Sequence, residues 1–117
     1  MSILFLDDNE GRIKSFRERH PDATIVVTAQ AAIQVLPTRI WGAVYLDHDL
    51  NGERFVDSDR ADCGMEVVRF ALRHRVSVGL FVIHTANYFA ALRMEYLLRN
   101  NAYNVVREPY EGAYDHP

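Results

Sequence analysis

With one cysteine in 117 residues, the chain has no internal disulfide. Cys63 reads as an inert, half-buried thiol, and a reducing compartment fits such usage. Basic charge is not in excess: 13 Lys and Arg stand against 16 Asp and Glu, a formal net charge of −3. No general pull toward duplex DNA or an anionic membrane is therefore expected. No apolar run approaches the ~20 residues that a membrane helix needs. A leader is not visible either, because polar residues arrive at Asp7, too early for an apolar signal core. The expectation is a cytoplasmic protein without membrane contact. Internal repeats, linkers and low-complexity stretches are also missing, which favours one domain over residues 1–110 and an irregular polar tail over 111–117.

Hydrophobic content of 49% and charged content of 25% are ordinary for a globular domain, and the length suffices to bury a core without staples. Ser2 to Leu6 is a strand candidate that stops at Asp7-Asp8-Asn9-Glu10. The spacing of Ile13, Phe16 and His20 predicts a helix over Gly11–His20, closed by Pro21. Asp8 or Asn9 suits its N-cap. Ala23–Val27 reads as a strand, and Thr28 caps a helix over Ala29–Leu36 that Pro37 ends. A third strand begins at Ala43. Gly64–Arg75 returns to a helical pattern, Val78–Ile83 is a fourth strand, and Asn87 is placed to cap a helix over Tyr88–Arg99. Asn104–Arg107 is a short last strand with no helix after it. Strands alternating with helices imply right-handed βαβ units and a doubly wound parallel sheet.

The stretch that carries chemistry is Ala43-Val44-Tyr45-Leu46-Asp47-His48-Asp49-Leu50. Its apolar half suits a buried strand. Its acidic half belongs at a strand end, because an unpaired carboxylate in an apolar interior is very costly. Parallel strands share one C-terminal rim, where ligands bind in such sheets. That rim gathers Asp7 and Asp8, then Asp47, His48 and Asp49, then His84, Thr85 and Asn87. Carboxylates meeting there repel one another without a cation, and oxygen donors of this kind suit Mg²⁺, with Mn²⁺ the alternative. Helix capping and solvation of strand ends account for any one of these residues alone; three polar strand ends together point to a metal or phosphate site. A long polar loop over Asn51–Cys63 stands beside it, and loops of that length in small domains are functional or disordered.

In their order these residues resemble the receiver domains of two-component signalling, a flavodoxin-like fold with strand order 2-1-3-4-5. Leu6-Asp7-Asp8, Leu46-Asp47, Thr85-Ala86 and Glu108-Pro109 stand where receivers carry an acidic pair, an acceptor aspartate, a Ser or Thr, and Lys-Pro. Glu108 replaces the lysine, with Arg107 as a substitute cation, and the last helix is missing. The fuller set Leu46-Asp47-His48-Asp49-Leu50, His84-Thr85-Ala86-Asn87 and Gly64 is similar to the cyclic-phosphate-processing receiver domains.

That resemblance implies a metal-dependent phosphoesterase acting on cyclic phosphate, in a small molecule or at an RNA end. The metal set is then Asp7, Asp8, Asp47 and Asp49, the catalytic set Asp47 with His48 and His84 as acid and base, and the phosphate-binding set Thr85 and Asn87. Imidazoles suit acid–base work near neutral pH. A geometric objection stands against the pair, since neighbouring strand residues face opposite ways and His48 meets Asp47 only if the backbone turns. A stand-alone receiver or pseudo-receiver that binds a protein partner is the alternative reading. Asp47-x-Asp49 also fits a nuclease or primase-like metal motif, which the acidic balance disfavours. A missing last helix leaves one sheet face under the first helix alone, so the tail or a second copy in a homodimer is expected to cover it.

Overall fold

Ile3 and Phe5 point to one face of the first strand, β1 (Ile3–Leu6), and Leu4 and Leu6 to the other. The two-residue period of a strand requires this. It divides the molecule into two cores. The computed structural model describes residues 2–109 and places β1 at the second position of a five-stranded parallel sheet. The other strands are β2 (Thr24–Val26), β3 (Ala43–Leu46), β4 (Phe81–Ile83) and β5 (Val105–Arg107). Their order is β2-β1-β3-β4-β5, as the resemblance implied. Leu6 pairs with Leu46 and Leu46 with Ile83, so three strands end level and the residues after them share one rim.

The helices are α1 (Glu10–Arg19), α2 (Ala29–Val35), α3 (Gly64–His74) and α4 (Tyr88–Asn100). Asn9, Thr28 and Asn87 cap α1, α2 and α4, each side-chain oxygen accepting a backbone N–H three residues on. The larger core packs Leu4, Leu6, Val44, Leu46, Phe81 and Ile83 against α2, α3 and α4. The smaller one sets Phe5 on Ile13 and Phe16 of α1, and Tyr45 leans on it. Among the described residues α1 alone lies on that second face. The tail expected to cover the rest, Tyr110–Pro117, lies outside the described residues.

Most element limits fall within one residue of the periodic reading, and two differences have a physical cause. Pro37 does not simply stop α2; it sits inside a 3₁₀ turn over Leu36–Thr38, where its missing N–H costs nothing. Continuous pairing of β4 starts at Phe81 rather than Val78, because Val78 makes one isolated bridge to Trp41 before the chain bends.

Gly64 joins this frame to the rim. Its N–H donates to the His48 carbonyl at 3.0 Å, and a Cβ there would lie 1.9 Å from the Asp47 carbonyl oxygen. The obstacle is backbone, so neither partner can step aside by changing rotamer. Gly64→Ala should therefore destabilise the fold by about 3 kcal/mol or more through overpacking. Chemical denaturation would show it, and an unchanged midpoint would mean that α3 is not pressed against the end of β3.

Candidate metal and phosphate site

Asp7 follows β1 on the α1 face, and Asp47 follows β3 on the same face, because each continues the parity of Phe5 and Tyr45. Asp8 reaches over the rim from the next position. Asp7, Asp8 and Asp47 each offer an oxygen, and these atoms all lie within 4.8 Å of one another. Asp8 is held by the loop after β3: the Gly52 N–H donates to its Oδ2 at 2.6 Å. Gly52 takes φ 73°, the left-handed conformation that glycine adopts without steric cost, and Asn51 before it takes φ 63°.

Burial makes this cluster costly. Asp7 is fully buried and Asp47 is 3% exposed. Burial, then the neighbouring charge of Asp7, pushes the Asp47 carboxyl up to about 7. The Thr85 hydroxyl, Arg12 and the His48 backbone N–H oppose that rise and do not cancel it. Arg12 is the cation that the sequence reading missed. Its guanidinium grips Asp7 through Nε at 2.7 Å and a second nitrogen at 3.0 Å, and stands 3.6 Å from Asp47. A positive side chain in the first turn of a helix is unfavourable to the helix dipole. Its position one turn past an acidic pair is the signal that a pairing partner was needed.

The donor set fits a hard divalent cation: carboxylate oxygens from two strand ends, with a net negative charge that Arg12 only partly offsets. Thr85, fully within the rim, bonds Asp47 and accepts the Asn87 N–H at 3.1 Å.

His84 joins the cluster from β4. Its Nε2 lies 3.1 Å from the Leu6 carbonyl, an acceptor only, which fixes the proton on Nε2. Nδ1 is thereby left as a lone pair 3.6 Å from Asp7. The ring stacks on Phe5 at 4.9 Å and is 5% exposed. Burial outweighs the pull of Asp7 and lowers its pKa to about 4, so the ring is neutral at physiological pH.

His48 and Asp49 are not brought into the cluster. His48 continues the opposite parity, on the side of the larger core, and both ring nitrogens are engaged: Nδ1 with Asp49 at 2.8 Å and Nε2 with Ser58 at 2.9 Å. Burial pulls its pKa down, but contacts with Asp49 and Cys63 overcome it and raise the value to about 9. The Cys63 sulfur faces the Arg60 and Ser58 carbonyls, which suit a protonated thiol, so Asp49 is the partner that holds the imidazolium. Asp49 in turn accepts from the Phe55 and Val56 N–H groups and from Asn87 Nδ2. Its oxygens pin the loop rather than face Asp8, which corrects the expectation of a fourth metal carboxylate. Asn87 likewise spends its oxygen on the α4 cap and donates from its nitrogen to Asp49. Arg107 is no substitute cation either: its guanidinium pairs with Glu95 and lies over Tyr88.

Comparison with known proteins agrees with this fold. No curated protein matches the chain. Among solved structures, the signal receiver domain described as a Luxo repressor protein from Vibrio parahaemolyticus superposes with a TM-score of 0.65 at 15% identity, covering 94% of this chain and 79% of that one. A structure of RcsB dimers bound to two parallel DNAs gives 0.55 at 17% identity, covering 98% of this chain and 56% of that chain. At such identities the likeness shows the receiver fold alone. The family model of the cyclic-phosphate processing receiver domain matches residues 2–100, and the chain therefore belongs to that family.

Proposed function

We propose that this chain is a metal-dependent phosphoesterase that hydrolyses a cyclic phosphate. The observation that carries the reading is the meeting of Asp7, Asp8 and Asp47 with a neutral His84 whose Nδ1 lone pair lies 3.6 Å from Asp7. Asp8 and Asp47, with Asp7 beside them, would hold Mg²⁺ or Mn²⁺. When bound, such an ion polarises a phosphoryl oxygen and so stabilises charge that develops in the transition state.

The chain's own groups account for the proton traffic. Water adds to phosphorus and one phosphorus–oxygen bond of the ring breaks, giving a phosphomonoester. The water proton passes to His84 Nδ1, where Asp7 steadies the imidazolium, and returns from there to the departing oxygen. The Leu6 carbonyl keeps the ring from turning. One histidine thus replaces the acid–base pair expected from sequence, and His48 becomes a positioning residue that locks the loop carrying Gly52 onto Asp8 and β3.

A second reading is favoured by one contact. The Thr85 hydroxyl on Asp47 and the receiver-fold neighbours suit phosphorylation of Asp47 as a signal to a protein partner. Against it, Glu108 is exposed where receivers carry a cation. Beryllofluoride with Mg²⁺ separates the two: the phosphoesterase reading expects no stable adduct on Asp47, and a stoichiometric one with no hydrolysis would favour the signalling reading.

Turnover of a 2′,3′-cyclic nucleotide with Mg²⁺ or Mn²⁺ is the direct test. His84→Ala should lower kcat by about 10²–10⁴-fold, the range for loss of a proton-transfer group, with metal binding retained. Absence of turnover over a panel of cyclic phosphates and metals would reject the reading. The metal itself has a pH signature. Asp47 must be ionised to bind it, and its folded-state pKa of about 7 lies above the ordinary 3.8. Protons therefore compete below about pH 7, and calorimetry should find affinity falling roughly tenfold per unit there. The metal-free protein should show the converse: the Asp47 contribution to stability is full below pH 4 and is lost as pH rises toward 7. A pH-independent metal affinity between 5 and 8 would contradict the assignment of Asp47 as ligand.

A further inference from the structure

The proton traffic at the rim gives Arg12 no part, although its contacts put it among the charges. Its guanidinium forks onto Asp7, Nε donating to Oδ2 at 2.7 Å and Nη2 to Oδ1 at 3.0 Å, and Nη2 stands 3.6 Å from Asp47 Oδ2. Oδ1 of Asp7 also accepts the Asn9 N–H at 2.9 Å. Arg12 thus reaches two of the three carboxylates whose oxygens gather within 4.8 Å of one another. A divalent ion drawing on Asp7 or Asp47 meets the guanidinium at the same oxygens, so the two cations compete. Depth separates the carboxylates from their partner: the Arg12 side chain is 27% exposed, those of Asp7 and Asp47 0% and 4%. Arg12 lines an open cleft together with His84. The carboxylates sit on short stems at strand ends, whereas the long arginine stem has the rotamers to carry its head toward that cleft. Other cations are committed elsewhere, Arg60 to Glu53 and Asp62, Arg69 to Glu66 and Arg107 to Glu95.

We infer that Arg12 is an exchange cation of this site: it holds Asp7 and Asp47 until a divalent ion binds, and its guanidinium then contacts a phosphoryl oxygen of the substrate. The planar fork that fits a carboxylate also fits a phosphate. Ion and guanidinium together balance the three ionised carboxylates, so an incoming phosphoryl anion is not repelled. They then neutralise different oxygens of one phosphoryl group, where charge develops in the transition state. The Asp7 Oδ2 that Arg12 gives up is the oxygen 3.6 Å from His84 Nδ1, where a base that takes a proton needs a carboxylate. The inference rests on the phosphoesterase reading for its substrate and adds to it a catalytic residue. It also couples the two ligands, because metal and phosphate each favour the arginine released from the carboxylates, and such coupling is reciprocal.

Two calorimetric titrations near pH 8, above the Asp47 value of about 7, decide it. One adds Mg²⁺ to protein treated with a chelator, and the other adds inorganic phosphate to the Mg²⁺-saturated protein. Arg12→Gln should bind Mg²⁺ about tenfold more tightly, because a competing charge is gone. The same variant should bind phosphate about tenfold more weakly, because a charge-assisted contact is lost. The opposite signs are diagnostic, since a guanidinium that merely held the rim together would weaken both when removed. Arg12→Lys keeps the charge without the fork; it should hold Mg²⁺ affinity within about threefold of wild type and still weaken phosphate. It carries the test if Arg12→Gln does not fold. Equal or weaker Mg²⁺ binding by Arg12→Gln, or phosphate binding equal to wild type in either variant, overturns the inference. So does a wild type that binds no Mg²⁺, or no phosphate once loaded. If wild type turns over no cyclic phosphate while both titrations come out as expected, the phosphoesterase reading fails by itself and the exchange stands.

Discussion

Two buried carboxylates, Asp7 and Asp47, are forced together because the strands that carry them are hydrogen-bonded neighbours in register. Everything at the rim answers that repulsion. Arg12 reaches back from the first turn of α1, against the helix dipole, to grip one of them. Thr85 and the His48 N–H bond the other. The remaining imbalance appears as an Asp47 carboxyl that holds its proton to about 7. Groups with strongly perturbed proton affinity gather where chemistry or binding needs them. A divalent cation held by these carboxylates would resolve the repulsion.

A second network, behind the first, ties the elements around the site together. Asp49 collects donors from His48, Phe55, Val56 and Asn87 and so ties the loop after β3 to the start of α4. Gly64 closes the same loop by letting α3 approach the β3 carbonyls. Gly52, at the other end of the loop, delivers its N–H to Asp8. The polar segment after β3 is therefore part of the scaffold that orients a carboxylate.

Much of this was legible in the sequence. The alternation of strands and helices, the three capping residues and the strand order all followed from periodicity, cap chemistry and a resemblance whose motifs fell in the same order along the chain. Even the separation of His48 from Asp47 was contained in strand parity: residue 47 faces α1, residue 48 the opposite core. What sequence could not supply was how side chains pair once the strand ends. Asp49 and Asn87 look like ligands by residue type, yet backbone amides of an irregular loop claim the first and a helix cap claims the second. Arg107 and Arg12 are equally plausible cations in one dimension. Only the direction of β5 toward α4, where Glu95 waits, and the first turn of α1 decide between them.

The central claim is that a divalent cation, shared by Asp8 and Asp47, is the partner this acidic rim is built for. Anomalous scattering from a crystal of the protein soaked in Mn²⁺ near pH 8 tests it directly. The account predicts one strong peak bound by Asp8 and Asp47. A map in which Mn²⁺ binds elsewhere, while Arg12 alone bridges Asp7 and Asp47, would contradict it.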